Sequence, residues 1–213
     1  MGKSSSKKIY KDLKWTSKLA YVVGLITTDG NLSSDGRHIE LTSKDYQLLK
    51  TFKNCLNLKV KISTKASGYT NKLYPRIQFS DVRFYRWLLK IGLMPNKTKN
   101  IKNIEVPDRF FFDFLRGHLD GDGSIRIFMD AVFPNSQRLY IQFNSASKSH
   151  LVWISETTKR LLNVHGFIGW GTRIWILTYA RKESLVLLPQ IYHHANIPCL
   201  IRKRKLLGEI KYY

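Results

Sequence analysis

Hydrophobic and polar residues follow two rhythms along this chain, and each rhythm comes twice. In "SKLAYVVGLITTDG" (residues 17–30) apolar side chains run almost all the way round a helical projection. A helix that is apolar on every side is buried on every side. Thr16 or Ser17 supplies an N-cap, so a helix is expected over about Lys18–Thr28. Strict alternation follows. Ile39 and Leu41 oppose Glu40 and Thr42, Val60 and Ile62 oppose Lys59, Lys61 and Ser63, and Ile77 and Phe79 oppose Arg76 and Gln78. Period two means strands with one buried and one wet sheet face. Helical segments follow the strands, in "DYQLLKTFKNCLNL" and "DVRFYRWLLKIGL".

The order then recurs. "FFDFLRGHLDGDG" reads as a second buried helix, capped by Asp108 and running to about Asp120. Ile141 and Phe143 oppose Tyr140, Gln142 and Asn144, and "TRIWILTYARKESLVLLPQIYHHA" runs from strand into helix. Gly24 and Gly117 stand 93 positions apart, as do Asp29 and Asp122. Each half closes on a basic segment, "PNKTKNIK" and "IPCLIRKRK". The expected fold class is α+β: two pseudo-symmetric αββαββα repeats, residues 15–104 and 105–213, after a flexible basic arm over 1–14. A chain built so is its own dimer and is expected to act as a monomer.

Glycine inside a helix costs about 1 kcal/mol relative to alanine. Gly24 and Gly117 therefore call for close approach of a second backbone, and the two buried helices are expected to pack side by side across the pseudo-twofold axis. Gly30 and Gly123 are expected to end them in the C′ position. That packing brings Asp29 and Asp122 together, each at the negative end of its helix dipole. Folding alone gives no reason for this. A divalent cation neutralises such a pair, and hard oxygen ligands suit Mg2+, with Mn2+ as a substitute. Metals held between carboxylates are a known device for phosphodiester hydrolysis.

Charge sharpens the picture. Lys and Arg number 36 against 15 Asp and Glu, a formal net charge of +21. Such an excess repels itself unless a polyanion offsets it, and nucleic acid is the leading partner. Hydrophobic residues at 43% exclude a disordered basic tail. Two cysteines, Cys55 and Cys199, exclude a disulfide framework or a Cys-rich zinc site. No apolar run approaches the roughly 18 residues that span a bilayer, and no secretory h-region is present. The expected location is intracellular, in an organelle or prokaryotic cytoplasm. "MGKSSSKK" matches the loose myristoylation pattern and is read as part of the basic arm. "DGDGS" fails the calcium-loop pattern, with Ile125 where glycine is required, and "GKS" lacks a phosphate loop's context. His193, His194, Trp170 and Trp175 are read as packing or DNA-facing groups rather than metal or cofactor sites.

The stretches Val22-Val23-Gly24-Leu25-Ile26-Thr27-Thr28-Asp29-Gly30 and Leu115-Arg116-Gly117-His118-Leu119-Asp120-Gly121-Asp122-Gly123 resemble the paired motifs of monomeric, two-repeat LAGLIDADG homing endonucleases. The resemblance spans roughly residues 15–208 and includes the repeat-closing "LLKIGLMPNKTKNI". It implies LAGLIDADG helices packed at the interface under two antiparallel sheets that form a DNA-binding saddle. It implies site-specific, metal-dependent cleavage of a long asymmetric double-stranded target, leaving short 3′ overhangs, by a protein often encoded in an intron or intein. Asp29 and Asp122 would hold metal, helped by the carbonyls of Thr28 and Gly121. Lys44 and Lys148 match the lysine that sits near the cleaved phosphates, where it stabilises developing charge or positions water. The sequence departs from the pattern at Thr27, which replaces an acid that is not the metal ligand, and at Arg116 and His118, polar residues at helix-packing positions.

Expected DNA contacts are Asn31, Arg37, Glu40, Thr42, Lys61, Lys65, Arg76, Gln78, Lys97 and Lys99 in the first repeat. In the second they are Ser124, Arg126, Arg138, Tyr140, Gln142, Asn144, Arg173, Trp175, Arg202 and Lys203. Glu40, Arg76, Gln78, Gln142 and Trp175 are the candidates for base readout. The insertion 126–138 lengthens the second repeat's first hairpin and is expected to reach further along the groove. Two other functions share the scaffold: a maturase acting on its own intron RNA, and a DNA-binding regulator without catalysis. Retention of both motif acids favours cleavage.

Overall fold

The computed structural model describes residues 13–66 and 72–211. All but two residues of the expected N-terminal arm lie outside these. The first half runs α1 (Ser17–Asp29), β1 (Gly30–Leu32), β2 (His38–Thr42), α2 (Tyr46–Cys55), β3 (Ser63–Ala66), β4 (Leu73–Ser80), α3 (Val82–Lys90). The second runs α4 (Phe111–Asp122), β5 (Ser124–Met129), β6 (Gln137–Ser145), α5 (Lys148–Leu162), β7 (Phe167–Trp170), β8 (Trp175–Tyr179), α6 (Arg181–Ile191), and then a short α7 (Ile201–Lys205). Both halves are αββαββα, as the periodicity predicts. The two antiparallel sheets have one topology, β1-β2-β4-β3 and β5-β6-β8-β7.

Alternation sets the two sides of each sheet. Ile39, Leu41, Ile77 and Phe79 face inward in the first sheet, and Leu139, Ile141, Phe143, Leu177 and Tyr179 in the second. Leu48, Leu49 and Phe52 of α2 and Phe84, Tyr85 and Leu88 of α3 are buried with them. α1 and α4 join both halves into one continuous core.

Four local expectations need adjustment. Thr16, not Ser17, caps α1, its hydroxyl accepting from Leu19 N–H at 3.1 Å. Asp108 does not cap α4. It opens a 3-10 turn over Asp108–Phe110, and both its oxygens accept from Arg160 at 2.6 Å, because an exposed carboxylate is matched better by a guanidinium fork. Gly30 and Gly123 do end their helices, but in extended backbone (φ −84° and −87°). The chain enters β1 or β5 at once, and glycine is needed for space: a Cβ would lie 2.6 Å from Ile26 Cα or 2.8 Å from Leu119 Cα. Finally, the strand expected around 59–63 forms at Ser63–Ala66, where Leu73–Arg76 of β4 supply its partners.

His118 has a packing explanation. It is buried and stacks on His150, ring centroids 5.2 Å apart at 20°, between Phe114 and Phe143. His150 Nδ1 donates to the Lys102 carbonyl. Burial pushes His150 down to about 4 and His118 well below the ordinary histidine range. The unfolded chain binds these protons near pH 6.5 and the folded chain resists them. Their contribution to stability is therefore complete above about pH 6.5 and is lost as pH falls toward 4. We expect unfolding free energy to drop by roughly 1 kcal/mol per pH unit for each imidazole. Urea melts at pH 7.5 and pH 5 measure the drop, and His118→Phe should flatten it.

Candidate active site

α1 and α4 pack backbone to backbone. A Cβ on Gly24 would lie 2.1 Å from the Phe114 carbonyl oxygen and 2.9 Å from Gly117 Cα; one on Gly117 would lie 2.1 Å from the Tyr21 carbonyl oxygen. The close approach that the two glycines imply is therefore present. Polar ties flank it. Tyr21 Oη donates to Asp120 at 2.8 Å, and Ser17 Oγ to Asp113 at 2.5 Å. Thr27 donates to its own helix at Val23 O. Arg116, wholly buried, pairs with Asp113 at 2.6 Å and donates to Ile191 O and Pro198 O at 2.8 Å, anchoring the segment after α6.

The shared crossing puts the two helix C-termini side by side. A Cβ on Gly121 would meet Thr28 Oγ1 at 2.0 Å and Asp29 Oδ2 at 3.3 Å, so the Asp29 carboxylate stands against the residue that precedes Asp122. Burial, and then the charge of Asp122, raise Asp29 to about 7, against the lowering pull of Lys203 and Lys97. Partial desolvation raises Asp122 too. Two neighbouring acids that are both pushed above their ordinary range are short of positive charge.

Lys97 and Lys203 supply some of it. Both were expected at the DNA surface, and both are buried, 8% and 5% exposed. Lys97 Nζ donates to the Gly30 carbonyl. Lys203 Nζ donates to the carbonyls of Leu119, Asp120 and Gly123. Gly30 and Gly123 are equivalent positions, so each repeat sends one lysine to the C-terminal end of its own motif helix, where the dipole favours a cation. Burial lowers both lysines to about 8, while Asp29 and Asp122 act to raise them. The sequence carried a signal for them, a lysine in each repeat's closing basic segment, but not the direction each side chain takes.

Lys44 and Lys148 lie over aromatic rings instead, Lys44 Nζ 5.6 Å from the Tyr74 centroid and Lys148 Nζ 4.7 Å from that of Trp175. The register decides their sides. Lys65 pairs with Tyr74, in phase with Arg76 and Gln78, so Lys44 sits above the wet face. Trp175 pairs with Ser145, in phase with buried Leu177 and Tyr179, so Trp175 and Lys148 belong to the helix side. Trp175 also packs on Trp170 at 4.9 Å. The sequence signal for the side of Trp175 is weak, because in Trp175–Tyr179 only Thr178 is polar and sets the phase.

The wet faces otherwise hold the expected residues. Asn31, Glu40 and Gln78 share one row, and Thr42, Arg76 and Ser63 another. Glu40, expected as a base contact, is instead buried at 6% exposure, because Lys65 at 2.6 Å and Arg76 at 2.8 Å clamp it. In the second sheet Gln142 accepts from Ser124 and donates to Thr178, and Tyr140 pairs with Arg126. Asn144 Nδ2 donates to the Asp122 carbonyl at 2.7 Å, tying this face to the acids. Arg37 and Arg173 are exposed in loops, and Lys99 is exposed in the 3-10 helix Lys97–Lys99. Arg138 pairs with Asp130, and Arg202 with Asp45. Lys61 lies beside α2 with Lys50 and Lys53, rather than in a strand.

The donor set at the acids fits a hard divalent cation. It offers two carboxylates with raised proton affinity and, in the last helical turns, the Thr28 and Gly121 carbonyls, which have no i+4 partner in their helices. Among the described residues no helix is long and apolar enough to cross a membrane.

Residues 16–92 match the family described as the LAGLIDADG-like domain. No curated protein matches the chain by sequence. Solved structures share the fold at low identity. The homing endonuclease I-WcaI bound to its DNA recognition sequence is 14% identical, with 96% of this chain and 94% of that one covered and a TM-score of 0.63. I-DmoI in complex with DNA and calcium is 18% identical over 90% and 97%, TM-score 0.58. The N-terminal LAGLIDADG domain of WhiA is 16% identical over 89% and 88%, TM-score 0.57. Full-length WhiA from Thermatoga maritima is 17% identical, TM-score 0.57; 95% of this chain aligns, but it spans only 64% of that protein.

Proposed function

We propose that this chain, a LAGLIDADG protein with the fold in both halves, is a site-specific, metal-dependent endonuclease of double-stranded DNA, acting as a monomer. The observation that carries the reading is the juxtaposition of Asp29 and Asp122 over two buried lysines, where two wet sheet faces begin. Each motif helix runs directly into the first strand of its sheet, so a duplex laid along both faces would cross above the acids. Arg76, Lys65, Gln78, Arg126, Tyr140, Gln142 and Asn144 would meet its phosphates and base edges. Asp29 and Asp122 would hold Mg2+ or Mn2+, with the Thr28 and Gly121 carbonyls. A metal ion there would supply an activated water and charge stabilisation at the scissile phosphate. Lys97 and Lys203 keep positive charge beside the acids before and during the reaction and pin the helix ends that carry them. The two sheets differ in their polar residues, which fits a long asymmetric target; short 3′ overhangs are the expected product.

Incubating the protein with a randomised duplex library and Mg2+, then sequencing the cut ends, tests this. Recovery of one long cleaved site supports it, and tight binding without cleavage would move the reading to a non-catalytic DNA-binding protein. That second reading has support in the fold itself, since WhiA's LAGLIDADG domain and I-DmoI give TM-scores of 0.57 and 0.58. Binding of structured intron RNA, with no duplex cut, would favour a maturase.

The lysines give a separate prediction. Lys97→Met or Lys203→Met should slow single-turnover cleavage by roughly 10²- to 10³-fold, the scale for losing one preorganised electrostatic group. Duplex affinity should change little, because neither side chain reaches the surface. Lys44→Met should weaken binding more than it slows cleavage.

A further inference from the structure

We infer that the tip of the β5–β6 hairpin is an apolar wedge that enters the duplex at the outer end of the second half-site and parts a base step there. The inference rests on the duplex-binding reading above. Its first ground is reach. β5 and β6 pair over six positions, Ser124↔Gln142 to Met129↔Gln137, where β1 and β2 pair over three. At about 3.3 Å per residue, the longer hairpin ends some way further from the acids than its counterpart.

The second ground is what the tip exposes. Val132 is 77% exposed and Phe133 63%, next to Phe128 at 44% and Met129 at 42%. The matching turn of the first repeat holds Ser33, Ser34, Asp35 and Gly36 instead. Single exposed apolar residues need no explanation, but adjacent Val132 and Phe133 at a hairpin tip, with Phe128 on the wet face of the same hairpin, do.

The third ground is that the tip is built. Asp130 Oδ1 accepts from the backbone N–H of Val132 at 2.8 Å and of Phe133 at 3.0 Å, while Oδ2 accepts from Arg138 Nε. Asp130 N–H donates to Ser136 O at 2.9 Å, and Ser136 N–H to Phe133 O at 2.8 Å. These bonds fix the turn's backbone while Val132 and Phe133 stand exposed on it, as a wedge requires.

The fourth ground is continuity and charge. Phe128 is in phase with Ser124 and Arg126 on the wet face. It stacks on Tyr140 at 6.0 Å, with the Arg126 guanidinium 5.8 Å from its ring. Arginines framing an apolar tip on a chain of charge +21 suit a polyanion whose interior is apolar, and stacked bases are that interior. Phe, Met and similar side chains that enter between bases unstack one step and kink the duplex. The step that yields most easily is a pyrimidine–purine one, so the wedge would select sequence through deformability, without base hydrogen bonds.

The test uses the duplex recovered from the library in Ca2+, in full length and in a form truncated inside the outer end of the second half-site. 2-Aminopurine is placed at successive positions of that end. The intact protein should raise fluorescence at one outer position only. Val132→Ser with Phe133→Ser, both at exposed positions, should abolish that rise and weaken binding to the full-length duplex about tenfold, with binding to the truncated duplex unchanged. Asp130→Ala, which frees the loop but keeps both apolar side chains, should give a smaller loss. Equal loss on both duplexes, or no loss and no fluorescence change in the intact protein, overturns the wedge. Tight binding of the truncated duplex by the intact protein would leave the duplex-binding reading standing in either case.

Discussion

Asp29→Asn and Asp122→Asn should each abolish cleavage, by at least about 10³-fold, while changing duplex affinity by no more than a few-fold. Asparagine keeps the shape and one oxygen but removes the charge that would hold a divalent cation, and metal-assisted hydrolysis depends on that charge. Loss should be near complete for either variant, because the acids share one cluster and residues that act as a unit do not contribute additively. A second readout requires no DNA. In the folded chain Asp29 stands near 7, held up by burial and by Asp122, against about 3.9 for an unperturbed Asp. An acid whose folded value lies above its unfolded one destabilises the fold progressively as pH rises past the unfolded value, here about 3.9, and the loss is complete above about 7. At pH 8 without metal, Asp29→Asn should therefore melt higher than the intact protein. Added Mg2+ should raise the melting temperature of the intact chain and leave that of the variant nearly unmoved. Cleavage by either variant at the native rate would sink the assignment of the acids. A magnesium shift that survives both substitutions would place the cation elsewhere.

The largest loss of stability is expected at the helix crossing. Gly24→Val and Gly117→Val place a branched side chain where even a Cβ would lie 2.1 Å from a backbone oxygen of the facing helix. A flexible side chain could move aside, but the Phe114 and Tyr21 carbonyls cannot move without separating α1 from α4. That separation would open the joint between the repeats and spread Asp29 from Asp122. A cost beyond about 4 kcal/mol is expected, above the roughly 1–3 kcal/mol usual for core overpacking because backbone rather than side chain must move, so these variants should be largely insoluble or unfold at far lower urea. Gly208→Ala is the control. Nothing lies within 4 Å of its Cβ position, and its urea midpoint should match the parent's. If Gly24→Val unfolds at the parent's midpoint, the tight crossing is wrong.

Much of this molecule is written in short-range patterns. Period two placed the strand faces, helical periodicity placed the buried motif helices, and the 93-residue offset gave the duplication. Gly24 and Gly117, unfavourable inside helices, announced the crossing, and the crossing brought the acids together. These features are legible because each depends on spacing within one segment or on its recurrence in the other. Side-chain destinations that depend on distant partners were not. Lys97 and Lys203 read as surface cations, since burial under the helix ends comes from elements 67 and 80 residues earlier in the chain. Trp175 read as either a packing or a DNA-facing group, since β8 offers only Thr178 as a polar residue to set its phase. Glu40 read as a free base contact, yet Lys65 and Arg76, from two other strands, hold it. The sequence by itself determined the repeat, the sheet faces and the pairing of acids. Only the tertiary structure decided which cations serve those acids, because a long flexible lysine is placed by the distant carbonyls it finds and not by its neighbours in the chain.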